Sequence, residues 1–234
     1  MNTLDKEYRH ELKFIINNGD IPLLKKKLSL FMKEDEHYDG EYFIRSLYFD
    51  DIYHSAYYDK LNGTKDREKY RIRFYNFDKS FISLELKGKN NNLSYKKRCN
   101  ISLEEYNYLL RKVYSKIDAN DRELLSSFIF DLKTKNLVPV ILVDYNREAY
   151  TYEFEDVRIT FDRDVRSANY NDNMFDQNSF MKKVFDDDSI ILEVKYNDRL
   201  PSFINDIIKN TRMIKIGISK YVLCIEREDF KNDL

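Results

Sequence analysis

Tryptophan is absent from this 234-residue chain, and cysteine, histidine, proline and glycine are scarce, at two, three, three and five residues. Cys99 and Cys224 stand alone, without the close spacing of a redox or metal motif. His10, His37 and His54 are equally scattered, which argues against a zinc site of His and Cys. Neither sign of charge dominates: 40 Lys and Arg meet 41 Asp and Glu, for a net charge of −1. A sequence-independent nucleic-acid binder carries a basic excess, so no nucleic-acid partner is expected. No apolar run approaches the roughly 18 residues of a membrane span. Met1 to His10 lacks the apolar segment of a signal peptide. The expectation is a soluble, cytoplasmic protein with no membrane span of its own. No repeat or shift in composition divides the chain, so residues 1–234 read as a single domain.

Aromatic residues are abundant, with 19 Tyr and 16 Phe, and charged residues reach 35%. Short alternating runs dominate, as suits strands with half-buried faces. Strands are expected at 9–16, 42–49, 69–77, 81–89, 93–99, 138–150, 157–164 and 190–196. Helices are expected at 21–32, 53–61 (or a turn), from Ser102, at 121–133, 201–208 and 219–226. Ser102 and Glu105 have the spacing of a capping box. Residues 166–188, rich in Asn and Asp, read as a long loop or lid. Asp50 and Asp51 read as turn residues, and Lys25 to Lys27 as a solvated helix face.

Side chains alternate across a strand, so the pattern sorts charge onto one face. Arg9, Glu11 and Lys13 share a face; so do Arg71 with Arg73, Glu85 with Lys87, and Ser94 with Lys96 and Arg98. Tyr145 pairs with Arg147, Arg158 with Thr160 and Asp162, and Glu193 with Lys195. Such faces are ordinarily the solvated side of an antiparallel sheet. Two features point the other way. Arg recurs at i and i+2, and several helices with apolar stripes need an apolar sheet surface to cover. If the helices pack outside, the charged faces point inward. Buried unpaired cations cost several kcal/mol each, about the amount that forces a partner into the lumen. Phosphate chains suit Arg forks and Lys point charges. The few carboxylates among them suit a divalent ion, which takes hard oxygen ligands.

The segments RHELKF at 9–14, RSLYFDD at 45–51, KYRIRFY at 69–75, SLELKGK at 83–89, SYKKR at 94–98, DYNREAY at 144–150, VRITFDRDV at 157–165, LEVKY at 192–196 and ISKYV at 218–222 occur in one order over nearly the whole chain. Together the pattern resembles the triphosphate tunnel metalloenzymes (the CYTH superfamily), and within them the VTC-type polyphosphate polymerase domain. The resemblance implies a mainly β (α+β) fold: a closed antiparallel barrel of about eight strands forming a tunnel, with several helices packed outside. It implies a polyphosphate polymerase that moves the terminal phosphate of a nucleoside triphosphate, ATP, onto inorganic polyphosphate. The catalytic cations would be Arg71, Arg73, Lys87 and Arg147. Lys13, Lys96, Arg98, Tyr145, Arg158 and Lys195 would contact substrate, and Ser219 with Lys220 would close one mouth. Glu193 would be the principal ligand of Mn²⁺ or Mg²⁺, with Glu11 and Glu85 as further ligands or as partners that orient neighbouring cations. Hydrolase-type members open with two Glu around Glu-x-Glu-x-Lys, whereas Arg9 stands first here. Gly217 replaces a basic residue expected before Ser219, with Lys215 one strand step away. A tripolyphosphate or nucleoside-triphosphate hydrolase and a non-catalytic polyphosphate sensor remain the alternatives. Coupling to export would require a separate membrane partner.

Overall fold

The computed structural model describes residues 8–35, 40–170, 173–217 and 219–229; His37 and the first seven residues lie outside them. The chain opens with β1 (His10–Ile16), α1 (Ile21–Leu28), β2 (Lys33–Glu34), β3 (Tyr42–Asp50) and α2 (Ser55–Leu61). β4 (Asp66–Tyr75), β5 (Ile82–Asn90) and β6 (Leu93–Ile101) form the expected meander, followed by α3 (Leu103–Leu110) and α4 (Glu123–Thr134). Then come β7 (Val138–Tyr152), β8 (Val157–Asn169), β9 (Lys182–Lys183), β10 (Ile190–Tyr196), α5 (Ser202–Lys209), β11 (Met213–Lys215) and α6 (Lys220–Asp229). The capping box forms as the spacing predicts: Glu105 N–H donates to Ser102 Oγ at 3.0 Å, and Ser102 N–H to Glu105 at 2.8 Å. Asp50 and Asp51 sit at the turn into α2. Asp51 accepts from Ser55, while buried Asp50 accepts from Ala56 N–H and the Tyr221 hydroxyl.

The strands make one antiparallel sheet in the order β11-β1-β10-β8-β7-β3-β4-β5-β6, with β2 on β7 and β9 on β8. The sheet curls until its far strand meets its near one, because Arg9 and Ser94 exchange two backbone hydrogen bonds of 2.9 Å. Among the described residues the ladder goes no further, so the closed barrel expected from the sequence is not confirmed. In the antiparallel register set by Arg9 and Ser94, β1 beyond His10 runs past Leu93, where β6 begins, and at Phe14–Ile16 that edge is taken by the short strand β11.

The convex side is apolar and helix-covered. α3 and α4 pack on β3–β6 through Tyr106, Leu109, Leu125 and Phe128, against Leu47, Ile72, Phe74 and Leu84. α1 and α5 cover β1, β8 and β10, where Leu24, Leu28, Ile204 and Ile208 meet Phe14, Ile159, Phe161 and Leu192. α6 departs from the expectation of helices outside. Its Tyr221, Val222, Cys224 and Ile225 pack on Ile44, Tyr48, Ile141, Val143 and Tyr145, residues of the inner strand faces. An apolar stripe shows that a helix needs a sheet, and not which side of it.

The 166–188 segment is not a free loop. β8 continues to Asn169, and β9 folds back onto it at Arg166 and Ser167. Fully buried Met174 joins the α3–α4 core, and Arg45, on the convex face of β3, donates to the carbonyls of Met174 and Asp176. Arg45 also grips Asp144 with two hydrogen bonds of 2.8 and 2.7 Å. The segment is strapped to the outer wall. No helix among the described residues is long and apolar enough to cross a membrane.

Phe128 is fully buried, meets Phe49 edge to face and lies tilted against Tyr70. Phe128→Ala should lower unfolding free energy by about 3–5 kcal/mol, read by urea denaturation; a loss below about 1 kcal/mol would mean that α4 is not tied to the sheet through this ring.

Candidate functional site

The period-2 faces converge on a cavity of about 780 Å³ on the concave side of the sheet. Eight strands and α6 line it. Twelve basic side chains reach its wall against three carboxylates, Glu11, Asp35 and Glu193. Among the residues expected from the sequence, Lys13, Arg71, Arg73, Lys87, Lys96, Arg98, Tyr145, Arg147, Arg158, Lys195, Ser219, Lys220, Glu11 and Glu193 all line this one space. Glu85 does not. It lies behind Arg71, which donates to it from Nε at 2.7 Å, and Lys96 stands 3.6 Å away.

The cations are held in fixed positions by their neighbours. Arg71 also donates to the Tyr48 hydroxyl at 2.9 Å. Arg73 donates to Ser46 at 2.9 Å and to the Tyr145 hydroxyl at 2.8 Å, and has no ion pair among the described residues. Arg147 forms a fork on Asp162 at 2.6 and 2.7 Å. Lys220, in the first turn of α6, pairs with the same Asp162 and with Glu193 at 2.9 Å. Glu11 takes Lys87 at 3.0 Å and Lys13 at 3.2 Å. Arg158, near the far rim, meets Asp35 and the Tyr42 hydroxyl.

The electrostatics follow this wiring. Burial alone would raise the Glu193 carboxyl, but Lys220, Lys195, Lys13 and Arg147 outweigh it and hold it well below the usual range. Glu11 is likewise held down, by Lys13 and Lys87 against the effect of burial. The cations divide into two groups. Lys13 and Lys220, although burial opposes their charge, are raised by their carboxylate partners. Burial pushes Lys87 down to about 8 with Lys13 and Lys195 beside it, despite Glu11. Lys69 falls well below the ordinary lysine value through burial and through Lys87, Lys13, Arg71 and Lys60.

Two functional residues escaped the sequence reading. Lys69 shares its strand face with Arg71 and Arg73, so the alternation could have found it. Its amine lies 3.1 Å from Ser219 Oγ. Asp162 was placed on a charged face but given no role. It is fully buried and joins β7, β8 and α6 through Arg147 and Lys220.

No group of three or more His, Cys, Asp or Glu side chains is gathered to hold a metal among the described residues. Glu11 and Glu193 nevertheless suit one. They stand on neighbouring strands, β1 and β10, a diagonal step apart, and face the same cavity. Thr160, across the ladder from Glu193, has a buried hydroxyl with no hydrogen-bond partner. Magnesium and manganese ions are commonly held by one or two carboxylates, with phosphate oxygens and water completing the shell.

The crowded amines make a stability prediction with a definite sign. A lysine lowered in the folded state binds fewer protons there than when unfolded, so stability rises with pH between about 8, the value for Lys87, and the ordinary lysine value of about 10.4. The ligand-free protein should therefore melt higher at pH 9 than at pH 7, as followed by circular dichroism. A lower melting temperature at pH 9 would mean that these amines do not repel one another.

Comparison with known proteins agrees with this geometry. The VTC domain family matches residues 8–227. No curated protein sequence matches the chain. Among solved structures, a Bacillus halodurans protein provisionally described as an adenylate cyclase shares the fold at 14% identity, with a TM-score of 0.50 and 87% of each chain covered. The PH1819 protein of Pyrococcus horikoshii OT3 is similar over 94% of this chain and 99% of its own, at 14% identity and a TM-score of 0.48. With the family match spanning the whole sheet and every strand that lines the cavity, the chain belongs to the VTC-domain family.

Proposed function

We propose that the protein is a metal-dependent polyphosphate polymerase, transferring the terminal phosphate of ATP to a growing polyphosphate chain inside the basic lumen. The observation that carries this reading is the excess of cations over carboxylates on one concave wall, in a chain of the VTC-domain family. A triphosphate of about four negative charges is the kind of ligand that offsets such a wall.

Phosphoryl transfer asks a protein for positioning and charge neutralisation more than for covalent chemistry. Arg71 and Arg73, fixed by Glu85, Tyr48, Ser46 and Tyr145, present guanidinium groups to the transferring phosphate. Arg147 and Lys220 lie with Arg73 around the Tyr145 ring and do the same, with Asp162 setting their direction. Lys13 and Lys87, beside Glu11, add charge along the chain. The attacking group is itself a phosphate, ionised at neutral pH, so no general base is needed, and none of the described histidines lines this cavity. Glu193 and Glu11 are the residues that would hold Mg²⁺ or Mn²⁺, which supplies charge neutralisation across phosphate oxygens when bound.

Purified protein incubated with ATP and Mn²⁺ should yield ADP and long-chain polyphosphate in matching amounts. Arg71→Ala/Arg73→Ala should lower that rate roughly 100-fold or more. Glu193→Gln should lose most of the metal-dependent turnover; full metal-dependent turnover in that variant would overturn the assignment of Glu193 as a ligand. Free phosphate without polymer would establish the hydrolase instead, and tight tripolyphosphate binding without turnover would establish a sensor.

A further inference from the structure

The basic lumen does not end at Lys13 and Lys87. A second cavity of about 430 Å³ lies between β1, β11, α2 and the projecting ends of β4 and β5. The two spaces share Glu11, Lys13, Lys69, Lys87, Ser94 and Ser219, so one opens into the other. The vestibule lies where β1 runs past the start of β6, on an edge that β11 covers only from Lys13 onward.

Beyond the shared residues, the vestibule is lined by Lys60 of α2, Arg67 of β4 and Lys89 of β5, with Arg67 and Lys89 directly opposite in the ladder. Arg67 donates to the Thr64 carbonyl and has Asp59 nearby. Lys60, Lys69 and Lys89 have no ion pair among the described residues, although all three are partly buried. The groups around Lys69 are Lys13 and Glu11 from β1, Lys60 from α2, Arg71 from its own strand and Lys87 from β5. Tyr48 of β3 and Tyr221 of α6 present their rings, and Ser219 its hydroxyl. The nearby carboxylates are committed elsewhere. Glu11 holds Lys13 and Lys87, Glu68 accepts from the Tyr95 hydroxyl, and Asp50 accepts from Tyr221 and α2.

We propose that Lys60, Lys69 and Lys89 form a second anion subsite, which takes the phosphates of an oligophosphate chain that extends beyond the lumen. This rests on the reading of the lumen as a triphosphate site and adds to it a preference for chain length. The two spaces would then divide the ligand: a triphosphate fills the lumen alone, and a longer chain runs on into the vestibule. Burial, with Arg67, Lys13 and Lys89 around it, lowers Lys60 to about 8, and Lys89 shifts the same way. A polyanion reverses that repulsion, so occupation of the vestibule draws protons from solution.

Isothermal titration calorimetry with tripolyphosphate and with long-chain polyphosphate, at pH 7 and pH 9 on either side of the Lys60 value of about 8, tests this. Titration in buffers of different ionisation enthalpy counts the protons. The wild-type protein should take up more protons with the long chain than with tripolyphosphate. Lys60→Met/Lys89→Met should bind the long chain about tenfold or more weakly, lose the extra proton uptake, and bind tripolyphosphate unchanged, which also shows that it is folded. Equal effects on both ligands, no effect on either, or equal proton uptake would overturn the vestibule subsite. Failure of the wild-type protein to bind tripolyphosphate would overturn the reading of the lumen itself, and the subsite with it.

Discussion

Guanidinium and ammonium groups gathered on one concave wall repel one another, and a few buried carboxylates decide where each of them stands. Asp162 is the central case. Sitting on β8 with no exposure, it receives the fork of Arg147 from β7 and the amine of Lys220 from α6. Glu193 and Glu11 perform the same service on β10 and β1, and Glu85 fixes Arg71 from behind. Each acid ties two elements together, so the seating of α6 inside the curled sheet and the direction of the lumen-facing cations are one arrangement. A carboxylate that leaves its cations behind would strand buried charge, which costs far more than an exposed pair is worth.

Placing the charge inside inverts the usual order of a sheet protein. The outer faces of β1, β4, β5, β8 and β10 are apolar, and two separate helix layers cover them. This explains how 35% charged residues coexist with a full core and a net charge near zero. Twelve of the 40 Arg and Lys line the lumen, against three of the 41 Asp and Glu. The bulk balance therefore concealed a strongly basic interior.

The strand faces were legible in the sequence because alternation is local: Arg71 and Arg73, or Glu193 and Lys195, reveal their side within three residues. Long-range partnerships were not. Nothing near Arg45 announces Asp144 and the strap at Met174, and nothing near Asp162 announces Lys220 on the last helix. Lys69 obeys the same alternation as Arg71 and Arg73, but its place at the junction of the two cavities depends on β1, β5 and α2. The side of the sheet that α6 occupies, the three-residue β11 and the offset at which β1 meets β6 depend on long-range register, which no local pattern records.

That seam carries a topological consequence. A fully laddered ring is an eyelet: a polymer passes it only by one of its ends. Here, among the described residues, the ring is fastened between β1 and β6 by the backbone bonds of Arg9 and Ser94. Two such bonds contribute about 1–3 kcal/mol in all, which thermal motion overcomes often. Under the function proposed above, a long linear ligand would be clasped by these contacts more than threaded, and could part from the sheet sideways without running its whole length through the hole.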